Sequence, residues 1–373
     1  MLKFLLSFLL IASCTFGDNP VDSALAQDEA DILGVDSSFE PGDTVTVNVA
    51  SWNGETWSAL SSGSLGLITA LTVYDNKLIA AGQFTTIGGV AANNIAAWDG
   101  DSWSPLGLGI TWEGHTSFVT CLAVYDGKLI AGGWFTKADL DSVNHIAAWN
   151  GHNWSGLGDG TKWYVLALTV YDNRLIAGGM FGSAGGVRVR NIAAWNGRAW
   201  SALDKGFSDE FAYVQALAEY RGRLYAGGAF ARAGRVPAHG IAVWDGHSWS
   251  ALGQGLRGTP RAFAVYDNYL MVGGEFSSAG DVRSRCIAAW RRGSWYSFDS
   301  GMNDEVLALT VYDGQLIAAG KFSTADGVET GPVAAWDGNT WSSFGSGVTG
   351  TPTALVVYNG CLIVGGGVSP VGR

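Results

Sequence analysis

The sequence predicts an all-β chain: a seven-bladed β-propeller of four-stranded antiparallel blades, closed by one blade split between the N- and C-terminal strands. Three observations predict it. First, tryptophans recur in pairs five residues apart, opening at Trp52, Trp98, Trp149, Trp195, Trp244, Trp290 and Trp336. These pairs hold 14 of the 17 tryptophans, and successive copies lie 46 to 51 residues apart. Self-similarity at such a period marks a repeat architecture. Second, a tyrosine column of the same count (Tyr74, Tyr125, Tyr171, Tyr220, Tyr266, Tyr312, Tyr358) interleaves with the pairs. Third, the two ends of the repeat array are incomplete in complementary ways.

Each repeat reads as four strands. Strand a ends at the column Tyr, and strand b is Leu-Ile-Ala-Gly-Gly, as at Leu129 to Gly133. Strand c is Ile-Ala-Ala-Trp and strand d opens on the second Trp, as at Ile95 to Trp98 and Trp103 to Pro105. Asp-Gly, Asp-Asn or Asn-Gly joins a to b, and Asp-Gly or Asn-Gly joins c to d, in six of seven repeats each. Such dipeptides suit two-residue hairpin turns. Arg221-Gly222 breaks the first rule and Arg291-Arg292-Gly293 the second. Strand b is apolar without alternation, as where sheets cover both faces. Its Gly pairs allow close backbone approach. Residues 44 to 60 supply strands c and d with no a or b before them, and residues 353 to 366 supply a and b with no c or d after them. Joining them closes the ring and removes two open sheet edges.

Ahead of the ring, Met1 to Ser13 has one basic residue, Lys3, before an apolar run from Phe4 to Ala12. That is the pattern of an export signal. The run is too short to span a bilayer as a helix. Leu10-Ile11-Ala12-Ser13-Cys14 resembles the lipobox of bacterial lipoproteins, which implies lipidation of Cys14 and a membrane contact through that anchor alone. The other reading is a secreted protein cut after Ala24-Leu25-Ala26. Residues 14 to 43 then form an acidic tether, with eight acidic and no basic side chains between residues 15 and 43. The ring occupies 44 to 373.

With a formal net charge of −11, the chain lacks the basic footprint of a nucleic-acid binder. Cys121, Cys286 and Cys361 sit at different repeat positions and set out no disulfide framework. No cofactor is expected, and no metal: His115, His145, His152, His239 and His247 are scattered without ligand spacing.

The diglycine ending strand b, the aromatic on strand c and the Trp opening strand d resemble the kelch type of propeller over residues 44 to 373. Trp replaces the Tyr usual on strand c. The wording Ala-Ala-Trp-Asp-Gly-x-x-Trp-Ser-x-Leu-Gly is similar to repeats of exported bacterial proteins and of fungal cortical marker proteins. The resemblance implies architecture and export, and carries no activity. Galactose-oxidase-like propellers share the fold, but their copper ligands find no match here. The Asp boxes of sialidases are one residue longer than Asp337 to Trp341.

All length variation falls in the d–a connections, around Ile110 to Thr116 and Ser208 to Ala212. Antiparallel blades put these on the same face as the b–c loops, and insertions gathered on one face mark a binding face. Two tryptophans outside the pairs, Trp112 and Trp163, belong to that face. The third, Trp134, ends strand b in a freely varying column that reads Gln83, Trp134, Met180, Ala229, Glu275, Lys321 and Gly367. Residues 188 to 292 carry 14 Lys and Arg against 8 Asp and Glu, while the remainder carries 8 against 25. Within this basic sector three b–c loops hold Arg188 and Arg190, Arg232 and Arg235, and Arg283 and Arg285. Arg binds carboxylate and phosphate bidentately, so these residues are candidates for an anionic ligand. The expectation is a lipid-anchored, non-catalytic binding module for a protein or acidic glycan. The rival is an extracytoplasmic enzyme with its site at the axis. The oligomeric state is left open.

Overall fold

The computed structural model describes residues 47–209, 211–298, 300–345 and 347–370. The export signal, Cys14 and the acidic tether lie outside the described residues. Among the described residues, seven antiparallel sheets share the strand order a-b-c-d, as in Phe118–Tyr125, Lys128–Trp134, Ile146–Trp149 and Trp154–Gly156. The a strands touch their neighbours in a closed cycle. It runs from Ser64–Tyr74 through Phe118–Tyr125, Val165–Tyr171, Tyr213–Tyr220, Leu256–Tyr266 and Val306–Tyr312 to Val348–Tyr358, which returns to Ser64–Tyr74. Sheets arranged radially about their innermost strands make a β-propeller. Blades are numbered here by those a strands in chain order.

The last blade is the split one. Val49–Trp52 pairs antiparallel with Cys361–Pro370, Ala50 facing Val364 and Trp52 facing Leu362. Residues from opposite ends of the ring therefore share one ladder.

Small residues let the blades converge. A Cβ on Gly132 would stand 2.6 Å from Cγ1 of Val165 in the next blade. One on Gly133 would stand 2.3 Å from the Phe118 carbonyl of its own inner strand. Farther out, aromatic side chains fill the widening gap and carry polar clamps. In five blades the strand-d indole donates to a carbonyl of the preceding blade, as in Trp154 to Leu106 (3.0 Å), Trp200 to Leu157 (2.7 Å) and Trp57 to Phe344 (2.8 Å), while Trp103 and Trp341 find no partner among the described residues. The column tyrosines donate the other way, to the a–b turn of the following blade, as in Tyr125 to Asn173 (3.3 Å) and Tyr358 to Asn76 (3.3 Å). Near the axis Thr69, Thr120 and Thr353 hydroxyls donate to carbonyls of the next blade. Each bond is worth about 1 kcal/mol net, and the repeat multiplies it around the ring.

The two kinds of hairpin turn differ, which corrects the expectation of two-residue turns for both. Every a–b turn is the expected kind, with two left-handed residues such as Asp126 (φ 50°) and Gly127 (φ 67°). Even Arg221 in the fourth blade adopts φ 52°. The c–d connection instead spans four residues, because Trp98 pairs with Trp103. Its leading Asp is not left-handed. Asp99 Oδ1 accepts from the backbone N–H of Asp101 (3.0 Å) and Ser102 (2.8 Å), and only Gly100 has positive φ (114°). Asn53, Asn150, Asn196, Asp245 and Asp337 bond in the same way. The side chain, not backbone handedness, sets this turn. Blade five, the exception in sequence, is the one that closes in two residues: Arg291 pairs with Ser294 across Arg292 (φ 52°) and Gly293 (φ 87°).

Candidate functional site

The d–a and b–c connections meet in small ladders on one face. Ile110–Thr111 pairs with Lys137–Ala138, Phe207–Ser208 with Arg232–Ala233, and Thr161 bridges Ala184. Inside these ladders, two positions per blade surround the axial mouth. One is the residue ending strand b, the column of Trp134. The other begins strand a, seven residues before the column Tyr: Leu67, Phe118, Tyr164, Tyr213, Thr259, Glu305 and Thr351. Where one blade meets the next, the end of b faces the start of the following a, making a series of equivalent slots.

Between blades two and three that slot holds an aromatic stack. The Trp134 and Tyr164 rings lie 3.9 Å apart at 25°. Trp112 tilts against Trp134 at 4.4 Å and Trp163 lies 5.7 Å away. All three tryptophans outside the pairs thus join one cluster. On its inner side His145 stacks under Trp134 at 5.1 Å and 14°. His145 is buried, its Nδ1 has no hydrogen-bond partner among the described residues, and burial pulls its pKa down to about 4. The imidazole is therefore neutral and acts as packing. Trp163 remains 41% exposed, so the cluster opens to solvent.

Between blades five and six the equivalent slot holds carboxyl groups, Glu275 and Glu305. The Glu275 pKa is raised by desolvation first and by the Glu305 charge second, with Arg261 and Lys321 opposing. Arg261 Nε lies 3.5 Å and Lys321 Nζ 3.6 Å from Glu305 Oε2. Arg261 and Glu305 are nearly buried, at 8% and 13% side-chain exposure. Tyr213 of blade four completes this wall. It bonds Thr259, and burial raises its phenol above the usual range, so it stays protonated. In a cycle of seven inner strands, a slot three blades on lies across the axis. The aromatic wall and the charged wall thus face each other over the mouth, with only Leu67, Gln83, Thr351 and Gly367 on the blade-seven and blade-one side.

The six candidate arginines are all exposed. Arg188 and Arg283 occupy one register, opposite Ser183 and Ser278. Arg190 and Arg285 likewise match, each giving its carbonyl to the chain entering the next blade, Phe207 and Met302. Blade four does not follow. There Arg232 stands on the first strand of its hairpin and Arg235 in the turn, with Arg232 Nη2 donating to the Arg235 carbonyl (2.8 Å). Arg285 Nη2 donates to the Asn303 carbonyl (3.2 Å). Trp163 and Arg188 flank one small ladder from opposite sides, because Lys162 N donates to the Ser183 carbonyl (3.0 Å) and Ser183 pairs with Arg188. No group of His, Cys, Asp and Glu suited to a metal ion occurs among the described residues. Burial pushes the Cys121 thiol up to about 12, leaving it unreactive.

Sequence reasoning singled out Trp112, Trp134 and Trp163, which the structure brings together, and passed over Tyr164, Tyr213, Arg261 and Glu305. The signal for Tyr164, Tyr213 and Glu305 was present as a second freely varying column at fixed distance from the Tyr.

Comparison with known proteins agrees on the fold. A family model described as the Rax2 C-terminal beta propeller domain matches residues 204–355. A second, described as a beta-propeller domain of unknown function (DUF5122), matches residues 75–96. No curated protein matches the chain. Among solved structures, the computationally designed Ika8 protein is similar at TM-score 0.50 and 17% identity, covering 83% of this chain and 98% of its own. The WD40 beta propeller domain of Doa1 is similar at TM-score 0.51 and 14% identity, covering 83% and 93%. The chain is a β-propeller repeat protein.

Proposed function

We propose that this chain is an exported, lipid-anchored binding module, a seven-bladed propeller of the kelch-like kind whose loop-bearing face receives a protein or glycan ligand. One observation carries the reading. Fourteen tryptophans are taken up by the repeat pairs, and the remaining three converge with Tyr164 at the mouth, partly open to solvent. Exposed aromatic groups beside polar ones on a loop-bearing face are what a recognition surface requires. The test is ligand capture by the ring and by Trp163→Ala. A ligand lost on substitution at unchanged melting temperature supports the module, and a face on which Trp163→Ala and Trp112→Ala change nothing counts against it. Export and anchoring are tested by fatty-acid labelling, which should mark the wild type and vanish in Cys14→Ser.

The enzyme reading draws on Glu275 and Glu305 at the axis. Two carboxyl groups that flank a scissile glycosidic bond stand about 5 to 9.5 Å apart, to admit the sugar or a water. Glu305 is instead nearly buried, with Arg261 at 3.5 Å and Lys321 at 3.6 Å from its Oε2. That pairing favours binding over hydrolysis.

A further inference from the structure

We infer that the axial mouth takes one sugar unit of a glycan, with the apolar face of the ring against the exposed indole of Trp163, which Trp134 buttresses, and its hydroxyls on the wall of Glu275, Glu305, Lys321 and Tyr213. This rests on the binding-module reading and chooses between its two ligand classes. Two features of the mouth carry the choice.

The aromatic wall is flat and already packed. Trp134 is packed by Tyr164 at 3.9 Å, His145 at 5.1 Å and Trp112 at 4.4 Å, so it cannot open to swallow an apolar side chain and serves as a fixed support for Trp163. It offers a rigid surface with an exposed indole, Trp163, at its margin. A ligand with a flat C–H face fits such a surface, and aromatic contacts of this kind cost little entropy because the rings are preset.

The opposite wall is polar but carries no surplus charge. Lys321 and Arg261 both bracket Glu305 at 3.5 to 3.6 Å, and Glu275 leans on the same carboxylate. Donors and acceptors therefore alternate within a few ångströms while the charges compensate one another. An ionic peptide would meet no unpaired partner there, whereas adjacent hydroxyls, each both donor and acceptor, match the alternation. An amphipathic ring with one apolar face and a polar edge is the chemistry that serves both walls.

Recognition by hydroxyls and stacking has a signature that charge recognition lacks. Ion pairing with the outer arginines would weaken steeply with salt, while binding at the mouth would not. The experiment is calorimetric titration of the ring with neutral oligosaccharides (β-1,4- and β-1,3-linked glucose, α-1,4-linked glucose and N-acetylglucosamine oligomers) at 50 and 500 mM NaCl. The expected result is binding by at least one, changed less than threefold by salt. Trp134→Ala and Lys321→Met should each weaken it at least tenfold, while Arg190→Glu with Arg285→Glu leaves it unaltered. Sister blades carry Ala229 and Gly367 at the Trp134 position, so Trp134→Ala is compatible with the fold, and its melting curve verifies that. If Trp134→Ala does not fold, Lys321→Met alone decides. Silence of every oligosaccharide overturns the inference. So does binding that survives Trp134→Ala and Lys321→Met, or that requires the arginines. A peptide ligand lost on Trp163→Ala in that case leaves the binding module standing and removes only the sugar.

Discussion

At the scale of single residues, one backbone position recurs as a left-handed turn before strand c in six blades: Asn48 (φ 57°), Asn94 (φ 64°), His145 (φ 63°), Asn191 (φ 64°), Gly240 (φ 78°) and Cys286 (φ 61°), with Pro332 in its place in the sixth blade. Asn94 and Asn191 use their side-chain oxygen to accept from Phe84 N and Phe181 N. His145 spends its ring under Trp134 instead and leaves Nδ1 unpartnered. The folded protein holds this imidazole neutral to about pH 4, against 6.5 for the unperturbed group. A lowered histidine pKa means that the unfolded chain binds the proton first. Its contribution is complete above pH 6.5 and is lost as pH falls from 6.5 toward 4, with about 2 of some 3 kcal/mol gone by pH 5. His145→Asn should restore an acceptor for Phe135 N and flatten the melting temperature between pH 7 and 5. A variant as acid-sensitive as the wild type would show that other groups carry the dependence. The sequence made Trp134 visible because it interrupts a varying column. It did not make Glu305 visible as a partner of Glu275, since the two lie 30 residues apart in different columns and meet only because consecutive blades do.

Elements of this ring were legible to the extent that one local rule builds them. The period-2 alternation is absent from strand b because both faces are covered, yet its Gly pair and the turn after the Tyr gave its limits. The c–d hairpin misled for a physical reason. Asp-Gly satisfies two different turn mechanisms, one through left-handed backbone and one through a side-chain acceptor, and composition does not separate them. The paired tryptophans are likewise unequal. Strand-d indoles are the deeper, with Trp154 at 2% and Trp200 at 5% exposure, whereas Trp195 on strand c is only half-buried. Trp200→Ala removes a buried ring and its bond to the Leu157 carbonyl, and is expected to cost about 3–5 kcal/mol. Trp195→Ala should cost clearly less, and denaturant unfolding of the two variants measures the gap. Equal costs would mean that burial depth does not rank the columns.

For the whole molecule, the decisive joint lies inside a blade. Every pair of neighbouring blades is connected by the chain itself, so clamps such as Tyr125 to Asn173 and Trp154 to Leu106 act between segments already tethered. The ladder of Val49–Trp52 on Cys361–Pro370 has no such tether short of the whole ring. Removing residues 1 to 60 would bare the edge of Leu362, Ile363 and Val364, all buried in the intact protein, and open Val368 beside it. An unpaired apolar edge recruits another strand. The truncated ring should therefore associate with itself and melt at a lower temperature. A synthetic peptide of residues 44 to 60 should reverse both effects, since it carries the whole missing hairpin: Asn48, which donates to the Ser64 and Gly66 carbonyls, and Trp57, which reaches Phe344. Addition of an extended segment to a waiting edge is an established route to tight strand complementation. The same peptide with Trp57→Ala and Ala50→Lys should bind far more weakly, because Ala50 is fully buried opposite Val364. Size-exclusion chromatography and thermal melts, with and without peptide, read the outcome. A truncated ring that stays monomeric at the full-length melting temperature would place the closure elsewhere.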